Sequence, residues 1–323
     1  MKRIAALICS LLLSFCLLSG CTETKGGKNR LSVVCTIFPQ YDIVRQIAGD
    51  SVELNMLLPY GMESHDFKLE NLSVKDLALV AEADIIISVG GGSDSIWVNE
   101  LREKVGNSNQ VWAELCDFTE TLCTEEHDHE NGSEPHDSHE HLHEHSHEHL
   151  IDEHIWTSPK RMRESAVKIA DILISAEPVI ADICNEGLSR FTTRLGALDI
   201  EFAKLGAEAQ KPAIFADRFS FRYLFHDYGL EYVAAFTGCS SSVDPSVLQI
   251  TEITQRAIEN STNTIFYMEN SNTKYAKKIA ESVGAKPKML HSCHNISKQE
   301  MKNGADYISL MTNNLAALKE AVK

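Results

Sequence analysis

The sequence predicts an α/β protein: two doubly wound α/β lobes joined by one long rigid helix. Three observations carry this expectation. Short apolar runs alternate with amphipathic helical stretches in both halves of the chain, the pattern of a parallel sheet covered by helices. Between the halves, VIADICNEGLSRFTTRLGALDIEFAKLGAEA continues without an internal Pro. At about 1.5 Å per residue such a helix would span the molecule. The 323 residues also exceed what one hydrophobic core comfortably holds, so two lobes are expected.

The elements follow in order. RLSVVCTIFPQYDIVRQIAGD reads as a strand, a Pro-bearing loop and a helix, and VELNMLLPYGMESHDFKL as a second strand and its loop. SVKDLALVAEA is helical, DIIISVGGG is a buried parallel strand ending in glycines, and QVWAEL is a further strand. SPKRMRESAVKIADILISAEP is an amphipathic helix that leads into the long one. Alternation then resumes with PAIFAD, LEYVAAF, TNTIFYME and KPKMLH as strands. FSFRYLFHDYG, DPSVLQITEITQRAIENS, SNTKYAKKIAESVGA and GADYISLMTNNLAALKEAV are the intervening and closing helices. The expected organisation is a first lobe over 31–180, a linking helix over 181–210 and a second lobe over 211–323.

The first residues form their own unit. Lys2 and Arg3 precede an apolar run from Ile4 to Leu18, too short and wrongly flanked for a spanning helix, which reads as a signal peptide over 1–20. Its end, LLSGC, resembles a bacterial lipobox, with Cys21 as the lipidated first residue of the mature chain. Residues 21–30 read as a flexible tether. The expected location is outside the cytoplasm of a bacterium, at the cell surface or in the periplasm, on a membrane through a lipid anchor.

Composition narrows the function. The formal charge is −16, and Glu125 to Glu153 hold eleven acids and no Lys or Arg. Acidity is therefore concentrated in one insert, and no basic face for nucleic acid is indicated. That insert, 125–150, holds nine of the 14 histidines: His127, His129, His136, His139, His141, His143, His145, His147 and His149. It lacks the apolar residues that order a segment. Overlapping imidazoles give many weak, exchanging metal sites, so the insert reads as an accessory that collects, senses or stores metal. Cys239 and Cys293 lie in similar Ser-rich contexts, TGCSSS and LHSCHN. An exported location permits a disulfide between them, metal ligation is the alternative, and sequence alone does not fix pairing.

Outside the insert stand His65, His154, His226, His291 and His294. In doubly wound sheets ligands bind beyond the carboxyl ends of strands. His65, His291 and His294 follow predicted strands, and His154 follows the insert in DEHIWTSP. His226 lies within a helix and reads as an ordinary surface or packed residue.

GMESHDF, then a His-rich acidic insert, then DEHIWTSP resembles the metal-binding solute receptors of bacterial zinc and manganese ABC importers. TIFPQYDIVRQIAGD, ADIIISVGGGSDSIWV, FHDYGLEYVAAF and AESVGAKPKMLH extend the likeness over nearly the whole mature chain. The resemblance implies metal held between the lobes, with His65 and His154 as ligands from the first lobe. In the second lobe the chain departs from the pattern. Arg218 falls where the family usually has a third His, and the family's carboxylate ligand falls near His291. His291 and His294 are the expected second-lobe ligands, with Glu269 in reserve and Asp217 as a further nearby carboxylate.

The implied function is a high-affinity zinc receptor, not an enzyme, acting as a monomer with an importer's membrane permease and its cytoplasmic ATPase. Neutral imidazoles suit Zn2+, whereas Mn2+ would favour more carboxylate. Two other classes stay open: a lipid-anchored zinc scavenger or adhesin-like protein without a transporter, and a metal-dependent hydrolase. The hydrolase would need an open coordination position and a general base.

Overall fold

The computed structural model describes residues 30–92, 94–123, 151–236 and 245–323. Cys21, the nine histidines of the insert and Cys239 lie outside the described residues.

The first sheet contains β1 (Leu31–Cys35), β2 (Val52–Met56), β3 (Ile85–Ser88) and β4 (Val111–Glu114). All are parallel, in the order β2-β1-β3-β4. The two inner strands, LSVVC and IIIS, are buried at every position, as strands covered on both faces must be. The outer strands are partly exposed. Helices α1 (Phe38–Ala48), α2 (Val74–Glu82) and α3 (Ser95–Val105) make the crossovers. Pro39 sits in the first turn of α1, where no N–H is needed. Ser73 and Asp76 cap α2 reciprocally.

Two antiparallel-packed helices follow, α4 (Pro159–Ala176) and α5 (Ala181–Glu208). The second sheet then repeats the first: β5 (Ala213–Phe215), β6 (Tyr232–Ala234), β7 (Thr264–Met268) and β8 (Lys286–Leu290), parallel, in the order β6-β5-β7-β8. Helices α6 (Arg222–Tyr228), α7 (Val247–Glu259), α8 (Lys274–Val283), α9 (Lys298–Lys302) and α10 (Tyr307–Val322) complete the second lobe. Among the described residues no helix is long and apolar enough to cross a membrane.

The 28 residues of α5 extend about 42 Å. The helix packs on α1 of the first lobe and on α6 and α10 of the second. Two glycines allow this. A Cβ on Gly187 would lie 2.1 Å from the Ile47 carbonyl oxygen, and one on Gly206 would lie 1.8 Å from that of Tyr228. The linking helix thus touches each lobe backbone to backbone. It ends at Glu208, beyond which Gln210 and Lys211 turn their N–H groups to the Val322 carbonyl at the end of α10.

The lobes are also joined directly. Arg161 of α4 makes a two-bond ion pair with Asp227 of α6, 2.8 Å on each branch. The Trp156 indole donates to the Ser292 carbonyl at 2.9 Å, and the Tyr307 hydroxyl donates to the Trp156 carbonyl at 2.6 Å. The Trp156 bonds pin the loop beyond the carboxyl end of β8 and the start of α10 to the segment that leads into α4.

Candidate metal centre

Three loops meet where the two lobes touch. The chain beyond β2 makes a short 3-10 turn, Ser64–Asp66, whose N-terminal N–H is capped by the Glu63 carboxylate at 3.1 Å. His65 rides on this turn. After an isolated antiparallel bridge between Cys123 and Ile151, Asp152 and Glu153 lead to His154 at the entrance of α4. Beyond β8 the chain kinks at Cys293, a non-glycine residue at φ 61°, and presents His294.

The ligand atoms of His65, His154 and His294 lie within 4.8 Å of one another. Ring centroids are 4.6 Å apart for His154 and His294, 5.4 Å for His65 and His294, and 5.8 Å for His65 and His154. His154 and His294 are buried, while His65 keeps 13% of its side chain exposed. A cavity of about 850 Å³, walled by Phe67, Trp97 and Ile96, opens beside His65.

The hydrogen bonds behind the rings set their tautomers. The Asp152 carboxylate lies 2.7 Å from His154 Nδ1. Burial opposes its charge, but the His154 ring and N–H outweigh burial and hold its pKa below the usual value. An ionised carboxylate can only accept, so His154 Nδ1 carries the proton and Nε2 offers a lone pair. Ser292 gives its one hydroxyl proton to Glu269 Oε1. Its oxygen, 2.6 Å from His294 Nδ1, therefore accepts from that ring, again leaving Nε2 as the lone pair. His294 Nε2 is buried without a hydrogen-bond partner. Burial, with the His154, His65 and Arg218 charges added, pushes the His294 pKa well below 6.5, so the ring is neutral near pH 7. A buried, unpartnered nitrogen among two other imidazoles fits a divalent cation. On the third ring, Glu153 Oε1 lies 3.8 Å from His65 Nδ1.

The other candidate residues stand outside this trio. His291 is not part of the trio: its Nδ1 accepts the Cys293 N–H at 3.0 Å, and its Nε2 lies 3.6 Å from Glu300 Oε1. The left-handed turn at Cys293 separates the two rings. Glu269 is not at the trio either. It stands behind Ser292, accepting that residue's N–H at 2.7 Å as well as its hydroxyl. Asp217 Oδ1 accepts the Arg218 N–H at 2.8 Å. His226 is in the last turn of α6, 59% exposed, beside Asp227 at 3.2 Å. Cys293 is a buried free thiol.

Asp152 and Ser292 were not singled out in the sequence. Each stands two residues before its histidine, as Asp-x-His and Ser-x-His, and that shared spacing was the available signal.

Residues 33–321 match the profile of the ZnuA family, described as zinc-uptake complex component A, periplasmic. The zinc-binding lipoprotein AdcA of Streptococcus pneumoniae is 28% identical over 323 residues, covering 99% of this chain and 61% of AdcA. The chain thus spans less than two thirds of that relative. The high-affinity zinc uptake system protein ZnuA of Bacillus subtilis is 27% identical, covering 97% of this chain and 95% of its own length. Among solved structures, the Zn(II)-bound ZnuA-like domain of Streptococcus pneumoniae AdcA superposes with a TM-score of 0.71 at 24% identity, over 91% of this chain and 99% of that one. At that identity the match speaks for the fold.

Proposed function

This chain belongs to the ZnuA family of zinc-uptake complex components, and from that premise we propose that it is an extracytoplasmic receptor that captures Zn2+ and hands it to an ABC importer. The observation that carries the reading is the convergence of three buried or half-buried imidazoles, two of them with Nδ1 held from behind and Nε2 left to ligate. Nitrogen donors of this kind suit zinc better than manganese. His65, His154 and His294 are the protein ligands. The partners are a membrane permease and its cytoplasmic ATPase, and the receptor works as a monomer held to the membrane by lipid on Cys21. The insert over 125–150 feeds the site from its own weak positions. The cation is cargo, and the chain binds and releases it without chemistry.

Zinc titration of the purified chain tests this. One tight site is expected, and it should persist when 125–150 are deleted while weaker binding disappears. His65→Ala, His154→Ala and His294→Ala should each lose more than about a hundredfold in affinity, beyond the range typical of outer partners. His291→Ala and His226→Ala should bind like the parent. Retention of tight binding in all three ligand variants would remove the receptor reading.

A further inference from the structure

We propose that Asn295 is a positioning residue that sets the site's selectivity among divalent cations, by locking the loop that carries His65 to the loop that carries His294. This rests on the receptor reading above and concerns how the site discriminates.

Asn295 is 3% exposed and adjoins His294 in the second lobe. Its Oδ1 accepts the Ile296 N–H at 2.7 Å, which orients the amide. Its Nδ2 then donates both protons across the cleft, to the Pro59 carbonyl at 2.7 Å and to the Met62 carbonyl at 2.8 Å. Those carbonyls belong to the tight turn that leads into His65. The turn is closed by Met62 N–H on the Pro59 carbonyl at 3.1 Å and needs Gly61 at φ 76°. Gly61 N–H in turn donates to the Ile296 carbonyl at 3.1 Å. One side chain and one main-chain bond therefore fasten the two ligand loops together through protein atoms. The loops fastened in this way carry the His65 and His294 rings, 5.4 Å apart.

The residue type matters. An amide supplies two donors on one nitrogen and an acceptor beside it. A carboxylate in its place would keep the bond to Ile296 but face two carbonyls with no proton to give. The consequence follows from how metal sites choose. With a given ligand set, selectivity depends on cavity size, ligand number and flexibility. A locked trio suits a small cation content with four ligands. A larger imidazole-accepting cation must spread the rings, which means straining the Asn295 bonds. Loosening the lock lowers affinity for the small ion and removes the penalty on the large one.

The test compares the full chain with Asn295→Ala and Asn295→Asp, titrated with Zn2+ alone and with Cd2+ alone, alongside thermal unfolding. Zinc affinity should fall about tenfold or more in both variants, as for other outer-sphere changes. Cadmium affinity should fall less, so that the zinc-to-cadmium ratio drops by about tenfold. A uniform loss for both cations at an unchanged ratio would make Asn295 a structural residue only and overturn the proposal. Where Asn295→Asp fails to fold, the ratio in Asn295→Ala decides. Absence of tight zinc binding in the parent chain would instead sink the receptor reading, and this inference with it.

Discussion

Arg218 Nη2 lies 3.2 Å from Glu63 Oε2, an ion pair that crosses the cleft between the lobes with both side chains mostly covered. Arg218 stands where the zinc and manganese receptors that the sequence resembles usually have a His. A cationic side chain cannot ligate a cation. It can hold the carboxylate that caps the His65 turn.

Arg218 should therefore matter for the frame more than for the metal. Arg218→Ala removes a charged hydrogen bond from a half-buried carboxylate, at a cost of about 2 kcal/mol in stability without metal. Urea unfolding reads this directly. Zinc affinity should fall far less than in His65→Ala. Loss of binding as complete as in the ligand variants would mean that Arg218 orders the trio itself.

The partners behind the rings give a second expectation. Asp152→Asn and Ser292→Ala should each weaken zinc binding by about ten- to hundredfold, because the ring behind them loses its fixed tautomer and orientation. Ser292→Thr keeps the hydroxyl and should restore much of the loss. An equal effect for Ala and Thr at position 292 would show that volume, not the hydrogen-bond chain from His294 through Ser292 to Glu269, is what counts there.

Much of this was legible in the sequence, for physical reasons. LSVVC and IIIS could hardly be anything but buried parallel strands, and the long Pro-free stretch had to be a long helix. His65 and His154 stand alone at the ends of their loops, which makes them candidates, and the resemblance to the receptor family is what implies them as ligands. His291 and His294 share one loop, and periodicity does not separate them. What separates them is the backbone turn at Cys293, a positive φ on a residue type that rarely adopts one. No residue pattern announces it. Glu269 was legible as a carboxylate near the site but not as one step removed, because the Ser292 hydroxyl that intervenes belongs to a different strand's loop. Asn295 was equally hidden, since its partners are main-chain carbonyls far away in sequence.

The linking helix has a weak point that can be probed without touching the site. Gly206→Ala would drive a Cβ into the Tyr228 carbonyl, 1.8 Å away. The backbone must part there, at a cost of about 1–3 kcal/mol, the usual range for overpacking. Gly196→Ala is the control, since the nearest neighbour of its added Cβ is the Arg163 guanidinium at 3.9 Å. Denaturant unfolding should show the first variant destabilised and the second unchanged or slightly stabilised, as expected for Ala in a helix. Equal stability of the two would mean that α5 slides freely against α6.

The Arg161–Asp227 pair predicts a pH dependence. Burial alone would raise the Asp227 pKa, but the hydrogen bonds from Arg161, Ser158 and His226 and the Arg161 charge outweigh it and hold the pKa below 3.8. The native state then binds fewer protons than the unfolded state just below that value. Stability from this carboxylate is thus fully present above the unfolded value and is lost as pH falls through the lower, folded one. Asp227→Asn leaves the Arg161 guanidinium, 7% exposed, without its counter-charge. It should cost about 3–5 kcal/mol at neutral pH, the range for breaking a buried pair. Measured by urea unfolding, the gap between parent and variant should stay constant from pH 7 to about pH 5 and close only below the ordinary Asp value. A gap that closes between pH 5 and pH 7 would place the titrating group elsewhere, and no gap at pH 7 would mean that this pair does not hold the lobes together.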